Sequence, residues 1–393
     1  MTEPALERMA DFDLNEQQRE VRRSVRAFAE GVVLPEVERH EREARYPIEL
    51  VRKMAEQGLM GPMIPEAYGG SFTDVLTYGV ICEEVARIDW VLASVISVSN
   101  SLAGSSILKH GNDAQKERWL PGIARGECLA SACLTEPGGG TDLGNMQTTA
   151  TKVAGGYRIN GTKVFISHAA HAGLFFLVAT LDRSLKHRGV TAFAFDPRQV
   201  EGISIREIPM RTLRRDNLAE VAFEDAFIPD SCLLGEEGKG FPILGSALDL
   251  GRFSVAARCV GQAQRCVDLA LPQARVREAF GQPIGQFQLI QQKLTDMICR
   301  TESARMLVYR VGRMKDAGIA RTSMEASMAK LKASQAAVDN ALDAIQIFGA
   351  YGLCEEYEIG RLLLEAKSLE LGEGTSELHT KLIAEYALGF RTQ

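Results

Sequence analysis

From Asn15 to Pro35 the apolar residues recur three or four positions apart. Val21, Val25, Phe28 and Val32 form one helical stripe, with Asn15 as its cap and Pro35 as its stop. A second helix is expected from Pro47, whose fixed φ suits a first turn, through Leu50, Val51, Met54 and Leu59, with Gly58 and Gly61 closing it. Long helical patterns follow from about 73 to 109 and from 114 to 123, so the first third reads as all-helical. Near Glu127 the period shortens. GYRINGTKVFIS, LFFLVATL, GVTAFAFDP, GISIREIPM and AEVAFEDAFIP are short, rich in β-branched and aromatic residues, and separated by Gly, Pro, Asn and Asp. Asn160-Gly161 predicts a hairpin turn. No long helix interrupts these segments, so the sheet is expected to be antiparallel, as a barrel or paired sheets.

Helices return at about Gly240. Leu289, Leu294, Met297, Ala304, Leu307, Val311 and Met314 trace one face, and Met324, Met328, Leu331, Val338, Leu342, Ile345 and Phe348 another. These predict an antiparallel bundle of about four helices. The fold class is therefore α+β: an N-terminal helical domain (1–126), a middle antiparallel β domain, β-barrel-like or of paired sheets (127–236), and a C-terminal four-helix bundle (237–393).

Composition narrows the function classes. With 46% hydrophobic and 24% charged residues, a formal charge of -6 and a pI near 5.7, the chain reads as globular, with neither nucleic acid nor an anionic membrane as main partner. No apolar run reaches the roughly 18 residues of a membrane span, and the polar start MTEPALERMADFDLNEQQ does not read as a signal peptide. A cytoplasmic location is expected. The eight cysteines, at 82, 128, 133, 232, 259, 266, 299 and 354, form no CxxC pair and read as reduced, mostly buried thiols. His168 and His171 form the one close histidine pair and read as loop residues, so no metal site is expected.

Neither G-x-G-x-x-G nor a phosphate loop occurs. The richest glycine loop is LTEPGGGTDLG, 134 to 144. Its backbone N–H groups and the hydroxyls of Thr135 and Thr141 suit an anionic or carbonyl-bearing ligand as well as they suit a tight strand connection. Glu373 stands between Gly372 and Gly374, glycines expected to free the backbone on each side, just before the cap residues Thr375 and Ser376. It reads either as a solvated loop glutamate or as a general base held dry, its pKa raised towards neutrality.

Six motifs in order decide between these readings. TEPGGGTD (135–142), NGTKVFIS (160–167), LDLGR (248–252), REAFGQPIGQFQLIQ (277–291), QIFGAYG (346–352) and LGEGTSELH (371–379) together resemble the acyl-CoA dehydrogenase family, and SVISVSNSLAGSSILKHG (94–111) is similar to its short-chain branch. The resemblance implies FAD between the β part and the bundle. It also implies α,β-dehydrogenation of an acyl-CoA thioester, with Glu373 taking the α-proton while a hydride leaves the β-carbon for the flavin. Leu134, Thr135, Phe165, Ile166, Ser167, Arg277, Phe280, Gln288, Gln346, Gly349, Thr375 and Glu377 match cofactor positions, several of them reaching the FAD of a neighbouring subunit. Thr141, Arg252, Gly372 and Gly374 match positions on the substrate side. An electron-transferring flavoprotein as acceptor and a homotetramer built as a dimer of dimers are implied as well.

Four departures bear on the details. Gly372 stands where many relatives carry tyrosine, which predicts space for a branched, cyclic or aryl-bearing acyl group. Phe165 replaces a tryptophan, and Ala350 and Ala279 replace a glycine and a hydroxyl residue. The arginines of PMRTLRRDN (209–217) read as a solvated loop or as partners for a dicarboxylic, glutaryl-type substrate. A non-catalytic helical interaction protein on this fold is the reading from outside the enzyme class.

Overall fold

The computed structural model describes residues 4–211 and 213–391, so Thr212 of the 209–217 segment lies outside the described residues. The chain divides into two compact units. One comprises Met1–Val37, Asp74–Ala93 and Arg252–Gln393, and the other Glu38–Thr73 and Ser94–Gly251. The helical first third thus contributes to both.

The second unit is organised by eight strands: β1 (Ala130–Cys133), β2 (Thr149–Val153), β3 (Gly156–Ile166), β4 (Leu174–Thr180), β5 (Val190–Phe195), β6 (Ile203–Glu207), β7 (Ala219–Pro229) and β8 (Leu233–Leu234). Their order is β6-β7-β3-β2-β4-β5-β8, with β1 beside β4. Pairing is antiparallel except for β1 with β4 and β2 with β4, which are parallel. β4 explains its own continuous apolar run. Leu174, Phe176 and Val178 pack on one face with Trp119, Ile123 and Leu244, whereas Phe175, Leu177 and Ala179 pack on the other with Tyr157, Val221 and Phe223. A strand buried on both faces needs no polar alternation. Because that second cluster draws on β3, β4, β5 and β7, the sheet curls around it in barrel-like fashion.

Two turn signals acted differently from expectation. Asn160-Gly161 lies inside β3, and the hairpin reverses at Gly155, where φ is +78°. Gly161 instead marks a register shift against β7 with φ of +148°, and a Cβ there would lie 2.6 Å from the Thr148 hydroxyl, so the glycine serves a bulge and a close approach. Pro35 does not stop the first helix. Glu16–Phe28, capped by Asn15 in a reciprocal box with Gln18, passes through a π-helical turn, Ala29–Val33, into Leu34–Glu43. Pro35 enters in the first turn of that helix, where its missing N–H costs nothing.

Polar residues hid one long helical stretch. Trp90–His110 is, among the described residues, apolar and long enough by composition to cross a membrane, contrary to expectation, but 94% of its window is buried inside the protein. Its serines return their hydroxyls to helix carbonyls, as Ser101 does to Ser97 at 2.6 Å and Ser106 to Leu102 at 2.6 Å.

The first unit is the bundle. Its helices are Glu16–Phe28, Val75–Ala86, Gly240–Val276 from Arg252 onward, Gln288–Asp316, Ser323–Phe348, Ile359–Leu371 and Ser376–Ala387. Met297, Ala304 and Val311 are buried as their stripe predicts, but Leu289 is 75% exposed. In Ser323–Phe348 the buried face is built from Ala326, Ala329, Ala333, Ala337, Ala341 and Ala344, whereas Leu342 is 51% exposed. Small side chains let helices approach closely along most of this face, and the larger Ile347 and Phe348 join it in the last turn.

Buried charge ties three of these helices together. Glu83 accepts hydrogen bonds from Arg305 Nε at 2.9 Å, Arg22 at 3.3 Å and the Tyr309 hydroxyl at 3.2 Å. Glu84 accepts from Arg22 Nε at 2.7 Å and Arg26 at 2.8 Å. Although burial alone would raise the Glu84 pKa, the Arg22 and Arg26 charges hold it well below the ordinary carboxylate range. Removing one member leaves the others charged and dry. Glu83→Ala should therefore cost about 3–5 kcal/mol in denaturant unfolding. Glu20→Ala, at an exposed pair with Arg23, should change it by less than about 1 kcal/mol.

Candidate active site

The turn between Ile359–Leu371 and Ser376–Ala387 carries Glu373. Gly372 has φ of -66° and ψ of 147°, so its angles need no glycine. The unusual angles fall instead on Glu373 itself, φ +53°, and on Gly374, φ +110°. That corrects the expectation that both glycines would take them. A left-handed glutamate costs roughly 1–3 kcal/mol and persists only where its surroundings over-determine it. Gly374 is fixed by space as well as by angle, since a Cβ there would stand 2.9 Å from His379 Nε2. At Gly372 the nearest atom to such a Cβ is the Ser368 carbonyl oxygen, at 3.4 Å. Thr375 caps the following helix by accepting from the Leu378 N–H at 3.4 Å.

Glu373 is partly buried as a residue, yet its Oε2 is sealed from solvent and has no hydrogen-bond partner within the chain. Burial pushes its pKa up to about 7, although Arg258, Arg252 and Lys330 each pull it down. This is a dry carboxylate near the midpoint of its titration at neutral pH, poised to take a proton. Lys330, fully buried, donates from Nζ to the carbonyls of Glu370 at 2.8 Å and Gly374 at 2.6 Å. Arg258 lies with its guanidinium 4.7 Å from the Trp90 ring centre. His379, buried beside the turn, is pushed down to about 3 by burial and then by Lys330 and Arg252, so it is neutral at physiological pH.

The bundle unit thus gathers Arg252, Gly372, Glu373, Gly374 and Thr375. It holds Arg277, Phe280, Gln288, Gln346, Gly349 and Glu377 on its exposed surface, with Phe280 97% exposed and the Arg277 guanidinium 6.0 Å from the Tyr351 ring centre. The β unit holds the remaining predicted residues. Thr135 accepts the Val164 N–H at 2.9 Å, which sets the glycine loop beside the end of β3. There a register shift between Lys163 and Ile166 turns Phe165 outward, 57% exposed with φ of +56°, while Leu134 and Ile166 are buried and the Ser167 carbonyl accepts from the Ser131 hydroxyl at 2.6 Å. Thr141 is exposed.

Comparison with known proteins completes the picture. The acyl-CoA dehydrogenase N-terminal, middle and C-terminal domain models match residues 15–127, 131–226 and 238–388. An acyl-CoA dehydrogenase of Bacillus subtilis is 37% identical over 96% of this chain and 99% of its own. The chain belongs to the acyl-CoA dehydrogenase family. A 3-(aryl)acrylate reductase of Clostridium sporogenes is likewise 37% identical, over 95% of this chain and 99% of its own. The structure of the glutaryl-coenzyme A dehydrogenase glutaryl-CoA complex matches with a TM-score of 0.94 at 32% identity, covering 96% of each chain. Acyl-CoA dehydrogenases are FAD-dependent oxidoreductases, and FAD is this enzyme's cofactor.

The residues present fit that group. Phe165 offers an aromatic face on a strained, outward-turned backbone, suited to a planar ring. Beside it, a Cβ at Gly138 or Gly139 would meet nothing within 4 Å, which leaves the loop backbone open to a ligand.

Other site features carried signals that went unread. Glu136, inside TEPGGGTD, forms a buried ion pair with Lys163 at 2.9 Å and accepts the Thr148 N–H at 2.9 Å, pinning the glycine loop to β3. Burial would raise the Glu136 carboxyl, but the Lys163 charge and these hydrogen bonds hold it below its ordinary value. Lys330 stood on an alanine stripe, where a lysine needs a reason. The 209–217 loop is only partly solvated: Arg211 and Arg214 are exposed, but Arg215 is fully buried against Glu41, its Nε donating at 2.8 Å, so that arginine already faces a carboxylate. Asp216 is buried beside His168, whose Nδ1 lies 3.3 Å away. Among the cysteines, Cys299 and Cys354 are exposed rather than buried.

The raised Glu373 pKa makes a signed prediction. The native state holds this proton more tightly than the unfolded chain, so the wild-type loses stability as pH rises from about 4.5 to 7. Glu373→Gln should therefore leave Tm unchanged at pH 4 and raise stability above pH 7 by on the order of 3 kcal/mol, checked by thermal unfolding across pH.

Proposed function

We propose that this enzyme removes two hydrogens across the α and β carbons of an acyl-CoA thioester whose acyl group is branched, cyclic or aryl-bearing, with Glu373 as the base. The sealed Oε2 of Glu373, raised to about 7 at a strained turn, is the observation that carries the reading. A thioester α-proton is weakly acidic, so its acceptor must be dry, ionisable at neutral pH and fixed in place. Bound FAD supplies the electron sink for the hydride equivalent lost from the β-carbon. Phe165, Ile166, Ser167, Leu134 and Thr135 would hold the ring end of that cofactor, and Thr141 and Arg252 would face the thioester and its CoA arm.

Gly372 supports bulk near the reacting carbons. Neither its φ nor a hard clash excludes a side chain there, so the space is left open rather than required by the turn. The similarity to a 3-(aryl)acrylate reductase points the same way. A panel of butyryl, isobutyryl, cyclohexanecarbonyl, 3-phenylpropionyl and glutaryl thioesters, read by anaerobic bleaching of the flavin, tests the class. A bulky member should give the highest kcat/KM, and butyryl-CoA outperforming all of them overturns the substrate assignment. In the same assay Glu373→Gln should retain FAD yet bleach at least about a thousandfold more slowly, and fast bleaching would assign the base elsewhere.

The enzyme is further proposed to pass electrons to an electron-transferring flavoprotein and to assemble as a dimer of dimers. Phe280, Leu289, Leu342 and Leu353 present exposed apolar surface on the bundle unit, of the kind that marks an interface. In such an assembly Arg277, Phe280, Gln288, Gln346 and Gly349 would reach the cofactor of a second copy. Light scattering should give four chains per particle, and a monomer at micromolar concentration would refute the assembly.

A further inference from the structure

Lys330 is a charge in an unlikely place. The inward face of Ser323–Phe348 is otherwise small, with Ala326, Ala329, Ala333 and Ala337 all fully buried, and Lys330 sits among them without exposed surface. A buried ammonium is costly unless it is hydrogen-bonded. Its partners are two backbone carbonyls, Glu370 at 2.8 Å and Gly374 at 2.6 Å.

Those two acceptors bracket Glu373. The Glu370 carbonyl belongs to the last turn of Ile359–Leu371, where carbonyls lack partners in their own helix. The Gly374 carbonyl belongs to the residue after Glu373, directly before the Thr375 cap. One cation therefore ties the end of one helix to the start of the next, with the left-handed Glu373 held between. The Glu370 side chain is occupied elsewhere, by the Ser376 hydroxyl at 3.2 Å and by Lys367, so Lys330 is directed at the backbone of the turn.

We propose that Lys330 is a positioning residue for the dehydrogenation: its ammonium clamps the Glu373 turn through the Glu370 and Gly374 carbonyls and lends its charge to the ionised form of the base. This rests on the assignment of Glu373 as base. The neighbouring groups leave this task to few candidates. From Gly240–Val276, Arg252 and Arg258 face the pair as cations, and Cys259 is a neutral thiol pushed up to about 12 by burial. Glu370 faces it from Ile359–Leu371, and His379 and Glu377 from Ser376–Ala387, His379 being neutral. Arginine stays charged at any working pH. Burial brings Lys330 down to about 8, so it alone among the three cations titrates close to the base it supports.

The test uses full-length, FAD-loaded protein with Lys330→Met, Lys330→Gln and Lys330→Arg. Glu373 is titrated without turnover by infrared difference spectroscopy, following the protonated-carboxyl band that Glu373→Gln removes. Flavin bleaching at saturating substrate is followed over the same pH series. In Lys330→Met the carboxyl midpoint should rise by about one pH unit, a tenfold fall in the ratio of ionised to protonated carboxyl, and bleaching at pH 7 should fall at least about fivefold with KM little changed. Lys330→Gln, which keeps a donor without charge, should show the same rise, whereas Lys330→Arg should titrate as the wild-type does. Added to Glu373→Gln, Lys330→Met should slow bleaching no further.

Neutral variants that titrate at the wild-type midpoint and bleach at the wild-type rate overturn the proposal, as does an equal rise in Lys330→Arg. Should Lys330→Met not fold, the Gln and Arg variants decide by the same criterion. Fast bleaching by Glu373→Gln alone overturns the base assignment instead, so the two failures are distinguishable.

Discussion

For the proposed role of Glu373 as base, its carboxylate must stay dry and still ionise near neutrality, and the turn that carries it is built around that constraint. Dryness alone would make Glu373 a permanent acid, and full ion pairing would make it a permanent anion of little basicity. The structure sits between these limits. Arg252, Arg258 and Lys330 surround the carboxylate closely enough to act on it through space, while Oε2 receives no hydrogen bond from within the chain. The strained φ of Glu373 belongs to the same arrangement, because a relaxed turn would be free to swing the side chain to water or onto an arginine.

Elsewhere the same chain treats buried charge conventionally, which makes the contrast informative. Glu83, Glu84 and Glu136 are each held by cations and hydrogen bonds, and each serves to fix elements: three helices in the first two cases, the glycine loop in the third. Glu84 and Glu136 lie below the ordinary carboxylate range, whereas Glu373 lies above it. The same side-chain chemistry is thus set apart, in three structural carboxylates and one proposed base, by hydrogen-bond supply rather than by burial, which all four share in some degree.

Much of this was legible in the chain before the structure. Asn15 capped where its spacing placed it, the long strands fell on the aromatic and β-branched runs, and six motifs in order pointed to the family. What failed was local: Asn160-Gly161 and Pro35 carry strong turn statistics that tertiary context overrode. The bulge beside Thr148 needed that glycine, and a π-helical turn absorbed the proline. Helix faces were misread for a different reason. Periodicity finds an apolar stripe without saying what covers it, so Leu289 and Leu342 looked like core, while the alanine face that is core looked featureless. Lys330, on an alanine-rich helix, and Glu136, inside a motif, each look solvated in sequence because the partner that keeps a buried charge is distant, 44 residues from Lys330 in the case of Gly374 and 27 from Glu136 in the case of Lys163.

The two glycines beside the base show how one motif divides its work. Gly374 is demanded by the backbone: its φ is left-handed and His379 occupies the place of a side chain. Gly372 is demanded by neither, with ordinary angles and only the Ser368 carbonyl within 4 Å of a Cβ. A position whose side chain the fold leaves free, one residue from the proposed base, is one that an acyl group could set. In the proposed reading, space at Gly372 can therefore change the accepted acyl group while the turn and its lysine clamp are kept, because Gly372 holds the turn only through its backbone N–H, bonded to the Ser368 carbonyl at 2.9 Å, which any residue but proline supplies.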